Sequence, residues 1–123
     1  MKIAAPKELD HGENRVAVSP QSAKFLINLG HEVIVQSGAG QGSRFADSDY
    51  KMSGCRLMKS SVSLWKEADV IVKVNPPTDA EQKKLKKGQI LIGFIWPVQN
   101  KELLASLQKK GITTIAMDMV PRI

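Results

Sequence analysis

The fold is decided by the stretch SPQSAKFLINLGHEVIV, which spans residues 19–35. Its first part carries helix signals: Ser19 is a favoured N-cap residue, and Pro20 suits the first helical position because its missing N–H costs nothing there. Gly30 predicts the end of the helix, since glycine readily adopts the left-handed conformation that follows a last turn. The apolar run at 31–35 then predicts a buried strand. The stretch therefore predicts a helix packed on a strand, the repeating unit of an α/β domain.

Similar short apolar runs predict further strands on both sides of this unit. They lie at 2–5, 69–74, 89–94 and 113–117, with a weaker candidate at 56–58. Because helical segments separate these runs, we predict an open, mostly parallel sheet flanked by helices, a three-layer architecture of the Rossmann-like or flavodoxin-like kind. Only residues 118–123 follow the last strand, so the fold is expected to be incomplete at its C-terminal end.

Capping and termination residues delimit the other helices. Thr78 and Glu81 have capping-box spacing, and Gly88 is predicted to end that helix. Asn100 precedes a helical pattern of leucines that Gly111 ends. Two shorter helices are predicted over 47–53 and 62–68.

Composition narrows the class of protein. A chain of 123 residues predicts one domain, and 18 lysines and arginines against 12 carboxylates give a net charge of +6 that attracts anions without naming a partner. The single Cys55 excludes an internal disulfide and favours a reducing cytoplasm. The longest apolar run, at 90–98, is too short to cross a membrane. The lysine-rich run at 81–87 is interpreted as a solvated helical face, and with 5% aromatic residues nucleic-acid binding is not expected.

Polar residues follow several predicted strands, where the ligand crevice of an open parallel sheet lies. They are Arg15, Lys73, Trp96 and Asp118. A buried Lys73 needs a partner or an anionic ligand, whereas on an edge strand its long side chain reaches solvent, and both interpretations stay open. Arg15 has the chemistry to clamp a carboxylate or phosphate. Residue type alone favours the alternative, a surface ion pair with Glu13 or Glu8.

The glycine cluster GAGQG at 38–42 does not match a dinucleotide fingerprint. Ser43 stands where the third glycine of that pattern belongs, and residues 56–58 hold no acidic side chain for a ribose. We interpret the cluster as a turn. His11, His31 and Cys55 lack metal-ligand spacing, so no metal site is predicted.

Nearly the whole chain resembles the N-terminal domain shared by alanine dehydrogenases and nicotinamide nucleotide transhydrogenases. Matching blocks occur in the right order: PKE at 6–8, ENRVA at 13–17, GAG at 38–40, ADVIVKV at 68–74 and MDMVPRI at 117–123. In alanine dehydrogenases an arginine and a lysine hold the substrate carboxylate and carbonyl, and these positions correspond to Arg15 and Lys73. The same enzymes place a catalytic histidine where this chain has Trp96. The FIWP motif at 94–97 instead resembles the alpha subunit of the proton-translocating transhydrogenase.

The resemblance implies a longer protein with several partners. Its NAD(H)-binding domain lies downstream, its C-terminal helices return to pack on the first domain, and NADP(H) binds a separate partner domain beside a membrane part that carries protons. Arg122 matches the first residue of a loop near the nicotinamide. The implied protein is a homodimer on the cytoplasmic side of the bacterial inner membrane, and residues 1–123 alone are expected to be inactive. The alternatives are an alanine dehydrogenase N-terminal domain and a non-catalytic module that binds a small molecule or a protein.

Overall fold

The computed structural model describes residues 1–119. Its sheet contains six strands: β1 Lys2–Ala5, β2 Glu32–Gln36, β3 Arg56–Met58, β4 Val70–Val72, β5 Ile90–Gly93 and β6 Thr113–Ala116. The spatial order is β3-β2-β1-β4-β5-β6, and every neighbouring pair is parallel. The predicted open parallel sheet is confirmed, including its weaker candidate strand. The order of the strands reverses between β1 and β4, which is where ligands bind in such sheets.

Five α-helices connect these strands. They are α1 Pro20–Asn28, α2 Asp47–Met52, α3 Ser61–Glu67, α4 Asp79–Gln82 and α5 Lys101–Lys109. The start of α1 is as predicted, because the Ser19 hydroxyl accepts a hydrogen bond from the Ser22 N–H at 3.1 Å and Pro20 occupies the first turn. Gly30 follows the helix with φ +102°, the left-handed conformation expected of a terminating glycine.

The two faces of the sheet are covered unequally. On one face, side chains of α3 and α5 pack on Ile34, Ile71 and Leu91, all inaccessible to solvent. On the other face, α1 and α2 pack mainly on β1 and β2. Ile115 and Met117, at the far edge of that second face, remain 42% and 43% exposed. Among residues 1–119, no helix therefore covers β6 on this face.

The helix predicted from Thr78 to Gly88 is wrong beyond Gln82. The chain tightens there into turns, since the Lys84 N–H donates to the Glu81 carbonyl at 3.0 Å instead of continuing the α-helical pattern. This tightening brings Leu85 into the core, where it is 2% exposed. Burial of that one leucine outweighs the helical preference of the lysines around it.

Asn100 directly precedes α5, as predicted. Its side chain makes no capping bond, and its amide donates instead to the carbonyl of Ile95 at 2.8 Å. The strands predicted at 69–74 and 89–94 are shorter than expected, but the Lys73 N–H still donates to the Ile92 carbonyl at 2.9 Å. The two strands therefore stay hydrogen-bonded at the edge where the polar residues lie.

Gln89 holds three segments together from a buried position. Its amide nitrogen donates to the carbonyls of Trp65 at 2.6 Å and Ala68 at 2.9 Å, and its oxygen accepts from the Lys86 N–H at 2.9 Å. The residue is 2% exposed, so water does not replace these bonds if the amide is removed.

Gln89→Leu is expected to lower the free energy of unfolding by about 2–4 kcal/mol, because it leaves buried carbonyl and N–H groups without partners. Urea denaturation of the chain measures the change. Gln108→Leu, on the exposed side of α5, is the matched control and is expected to change it by less than about 0.5 kcal/mol. Equal effects of the two substitutions would show that the three bonds of Gln89 do not stabilise the fold.

Candidate functional site

A cavity of about 430 Å³ opens at the carboxyl ends of β4 and β5. Its walls are residues 15–17 of the loop after β1, residues 72–74 and 92–94 of the two strand ends, Ser43 and Met117. A larger groove of about 760 Å³ lies between residues 76–79 and α5, but neither Arg15 nor Lys73 belongs to its walls. The smaller cavity, beside the point between β1 and β4 where the strand order reverses, is the candidate site.

Lys73 is buried between two carboxylates. Its side chain is 2% exposed, and Nζ lies 3.0 Å from Glu8 Oε1 and 3.4 Å from Glu81 Oε2. β4 is an inner strand, between β1 and β5, so the edge-strand interpretation of Lys73 is wrong. Lys73 is instead a buried lysine with partners in the chain. Glu8 and Glu81, which are themselves 3% and 2% exposed, compensate the charge of its ammonium group.

Glu8 fastens the loop after β1 to the end of β4. Besides the ion pair, its two carboxylate oxygens accept hydrogen bonds from the backbone N–H groups of Val74 and Asn75, each at 3.0 Å. Three donors therefore converge on one buried carboxylate. Sequence reasoning offered Glu8 only as a possible partner of Arg15, because the residues that it contacts lie far away along the chain.

Glu81 joins α4 to the same centre. One carboxylate oxygen accepts from the Thr78 N–H at 2.9 Å, and the Thr78 hydroxyl accepts from the Glu81 N–H at 3.2 Å, which confirms the predicted capping box. The other oxygen faces Lys73. Glu81 therefore caps its own helix and also pairs with the distant Lys73. The capping-box spacing alone does not predict this pairing.

Arg15 forms the surface ion pair that its residue type favoured. Its Nε and Nη2 each donate to the Glu13 carboxylate at 3.0 Å, and the arginine side chain is 67% exposed. Glu13 also accepts from the Arg15 backbone N–H and from the Asn75 amide, both at 2.8 Å. These bonds, led by the Arg15 side chain, lower the pKa of Glu13 to about 2. Glu8 is not the partner, since it is occupied by Lys73.

Trp96 and Asp118 meet at the neighbouring strand ends. Asp118 accepts hydrogen bonds from the N–H groups of Ile95 and Trp96, each at 3.0 Å, and these donors, Ile95 first, lower the pKa of its carboxyl. Trp96 has φ +54°, an uncommon conformation for a bulky side chain, and its ring stacks on Phe94 with centroids 6.1 Å apart. Asp118 thereby holds a strained connection in place beside the cavity.

The glycine cluster at 38–42 forms a turn, as interpreted from the sequence. Gly38 has φ +85°, and its N–H donates to Asp47 at 2.9 Å. A Cβ on Gly42 would lie 2.7 Å from the Asn14 carbonyl oxygen, so this glycine permits close packing of the loop that carries Arg15.

The structure thus brings Arg15 and Lys73 to one cavity and places Trp96 and Asp118 beside it. Arg122, the candidate near the nicotinamide, lies outside the described residues. Among residues 1–119, no group of three His, Cys, Asp or Glu side chains is arranged to hold a metal ion. No helix in this part of the chain has the length and apolar character required to span a bilayer.

Comparison with known proteins gives consistent matches. The family model "Alanine dehydrogenase/PNT, N-terminal domain" matches residues 4–123. The NAD(P) transhydrogenase subunit alpha of Cereibacter sphaeroides is 48% identical over all 123 residues, which make up 24% of that protein. The alanine dehydrogenase of Halomonas elongata is 39% identical over 98% of the chain and 32% of the enzyme.

A solved structure agrees with these matches. The transhydrogenase from Sinorhizobium meliloti superposes with a TM-score of 0.93 and 38% identity, over 100% of this chain and 36% of that one. The chain therefore spans about a quarter to a third of the length of the curated relatives it matches.

Lys73→Met is expected to lower the free energy of unfolding by about 3–5 kcal/mol, because it leaves Glu8 and Glu81 buried without their cation. Lys24→Met on the exposed side of α1 is the matched control, with an expected change below about 0.5 kcal/mol. Urea denaturation distinguishes the two. A loss for Lys73→Met no larger than the control would contradict the stabilising role of the buried ion pairs.

The low pKa of Glu13 predicts that the stability of the fold depends on pH. Since its pKa is lowered from the ordinary 4.5 to about 2, its stabilising contribution is complete above 4.5 and is lost as the pH falls towards 2. Denaturation between about pH 5 and pH 2.5 is expected to show a smaller decline for Glu13→Gln than for the wild type. Glu102→Gln, at an exposed site on α5, should retain the wild-type decline. A Glu13→Gln profile parallel to the wild type would be the contrary result.

Proposed function

Because this chain belongs to the alanine dehydrogenase/PNT N-terminal domain family, we propose that it is the N-terminal domain of the NAD(H)-binding component of a proton-translocating NAD(P) transhydrogenase. The activity of the whole protein is hydride transfer between NAD(H) and NADP(H), coupled to proton translocation. Within the family, the higher identity to a transhydrogenase subunit than to an alanine dehydrogenase, 48% against 39%, supports this choice.

Trp96 is the residue that most strongly favours a transhydrogenase over an alanine dehydrogenase. The resemblance places the proton-transferring histidine of alanine dehydrogenases at this position. An indole N–H only donates hydrogen bonds, so Trp96 cannot exchange a proton with a substrate near neutral pH. Hydride transfer between two nicotinamides needs no such acid or base, because the cofactors supply the chemistry and the protein orients them.

Arg15 and Lys73, the two cations that line the cavity, are already paired with carboxylates, which also favours a transhydrogenase. A pyruvate carboxylate at Arg15 would have to displace the two-bond contact with Glu13, and a carbonyl at Lys73 would compete with two carboxylates for the ammonium. Alanine dehydrogenase remains the second candidate because Arg15 and Lys73 do line one cavity. We propose that in a transhydrogenase these residues organise the cleft and bind no amino acid.

We propose that the cavity receives part of a nicotinamide nucleotide. Val72, Ile92 and Phe94 offer an apolar wall suited to a flat ring. The turn at 38–42 does not match a dinucleotide fingerprint, because Ser43 stands where the third glycine belongs. We therefore propose that the diphosphate of NAD(H) is held by the downstream domain, that NADP(H) binds a partner domain, and that residues 1–123 alone are inactive. Arg122 is proposed to contact the nucleotide near its nicotinamide.

The exposed second face of β6 suits the proposed assembly. Ile115 and Met117 present apolar surface there, and we propose that the C-terminal helices of the longer protein cover it. The proposed protein is a homodimer attached to membrane subunits on the cytoplasmic side of the bacterial inner membrane, with no part of residues 1–123 inserted in the bilayer.

The test uses the full-length protein together with its membrane subunits. Reduction of a spectrally distinct NAD analogue by NADPH, coupled to proton movement across the vesicle membrane, is the expected result. Arg122→Ala should slow this transfer at least about tenfold while thermal stability stays unchanged, since orientation of reacting groups contributes strongly to rate. Lys24→Ala on exposed α1 is the control, with the wild-type rate expected.

Two results would overturn the proposal. Saturable reduction of pyruvate by NADH and ammonium, without transfer between nucleotides, would establish alanine dehydrogenase activity instead. Parallel loss of rate and thermal stability in Arg122→Ala would remove Arg122 from the nucleotide site and assign it to the fold.

A further inference from the structure

The connection between β5 and α5 is held through both its N–H groups and its carbonyls. The carboxylate of Asp118, which follows β6, accepts hydrogen bonds from the N–H groups of Ile95 and Trp96, each at 3.0 Å. The Asn100 amide donates to the carbonyls of the same two residues, at 2.8 Å and 3.3 Å. Side chains therefore replace the backbone partners that a helix or strand would give this segment.

Trp96 has a backbone conformation that needs such support. Its φ of +54° lies in the left-handed region, which a bulky side chain rarely occupies. A conformation of this kind persists only where the surrounding structure imposes it. Hydrogen bonds from N–H groups to an ionised carboxylate are stronger than those between neutral groups, so Asp118 is well suited to impose it.

The indole of Trp96 supports one wall of the cavity. It stacks on the ring of Phe94, with centroids 6.1 Å apart and the ring planes inclined by 22°. Within residues 1–119, the walls of the cavity include Phe94 but not Trp96, so the indole contacts the phenyl ring from outside the cavity. Stacked aromatic rings attract each other, and this contact restricts the positions that the Phe94 ring can take.

We propose that Asp118 is a positioning residue that acts through Trp96 on Phe94 and keeps the Phe94 ring fixed against the nicotinamide of the bound nucleotide. The inference rests on the proposed function for the identity of that ligand. Met117, the residue before Asp118, also lines the cavity, so the segment that carries the carboxylate belongs to the same wall. A small displacement of a reacting ring slows its reaction strongly, which gives this wall an effect on rate.

The experiment measures hydride transfer from saturating NADH by the full-length protein with its membrane subunits. Asp118→Ala is expected to slow the transfer about tenfold, because two N–H groups of the connection lose their acceptor and the aromatic pair shifts. The affinity for NADH should change by less than about threefold, since the proposed downstream domain holds the diphosphate. Asp118→Asn keeps one acceptor oxygen and is expected to have an intermediate rate.

Asp69→Ala is the matched control. The Asp69 carboxylate accepts the Lys2 N–H at 2.7 Å at the opposite end of the sheet, so this substitution removes a bond of the same kind away from the cavity. Both alanine variants are expected to lose some thermal stability, but Asp69→Ala should keep the wild-type rate. A loss of rate in Asp118→Ala no larger than in the control would overturn the proposal.

A double-mutant cycle tests whether Asp118 acts through Trp96. Trp96→Ala removes the ring stacked on Phe94 and is expected to slow the transfer about tenfold, whereas Trp96→Phe keeps a ring and should stay within about threefold of the wild type. If the two residues act through one series of contacts, the double alanine variant is no slower than the slower single variant. Losses that multiply to about a hundredfold would show that Asp118 acts independently of Trp96 and would overturn the proposal.

The wild-type reaction separates this inference from the proposed function. Reduction of pyruvate in place of a second nucleotide would reject the transhydrogenase assignment. The same variants, measured with pyruvate, would then still decide the role of Asp118, because the nicotinamide must be oriented in either reaction. Normal transfer between nucleotides in the wild type, with multiplying losses in the cycle, would reject only the role of Asp118.

Discussion

The cleft depends on the burial of one ammonium group between two carboxylates. Lys73 lies at the end of an inner strand, where a lone charge would be strongly unfavourable, and the chain compensates it with Glu8 from the loop after β1 and Glu81 from α4. Each carboxylate also accepts backbone N–H groups. The charge requirement therefore fixes the relative positions of three connections, and the walls of the cavity follow from it.

The same arrangement separates what local sequence can predict from what it cannot. The start of α1 follows from Ser19 and Pro20, whose effects are confined to one helical turn. The partners of Lys73 and the buried role of Gln89 depend on residues far apart in the sequence, which no spacing rule reveals. The predicted end of α4 at Gly88 is wrong, because burial of Leu85 outweighs the helical preference of the residues around it. Position after the predicted strands located Arg15 and Lys73, and residue type favoured an ion pair for Arg15, but only the structure showed that Lys73 is paired with Glu8 and Glu81.

The family includes proteins named as transhydrogenases and as alanine dehydrogenases. In this chain the sheet and the paired cations provide a fixed frame, and under the proposed function Trp96, in the connection after β5, prevents proton transfer. In this chain Asp118 secures that connection by binding the N–H groups of Ile95 and Trp96. The backbone at Trp96 is thus held by a residue from the end of a different strand.

The central place of β1 has a consequence for how the chain folds during synthesis. Ile3 pairs with Val33 on one side and with Val70 on the other, so β1, which is synthesised before both partners, completes its hydrogen bonding only after β4 has emerged from the ribosome. Until then β1 presents an open edge to other nascent chains. Pairing of such distant segments slows folding and prolongs this exposure. Slow translation before β4 would therefore favour aggregation, whereas rapid delivery of β4 would close the vulnerable edge.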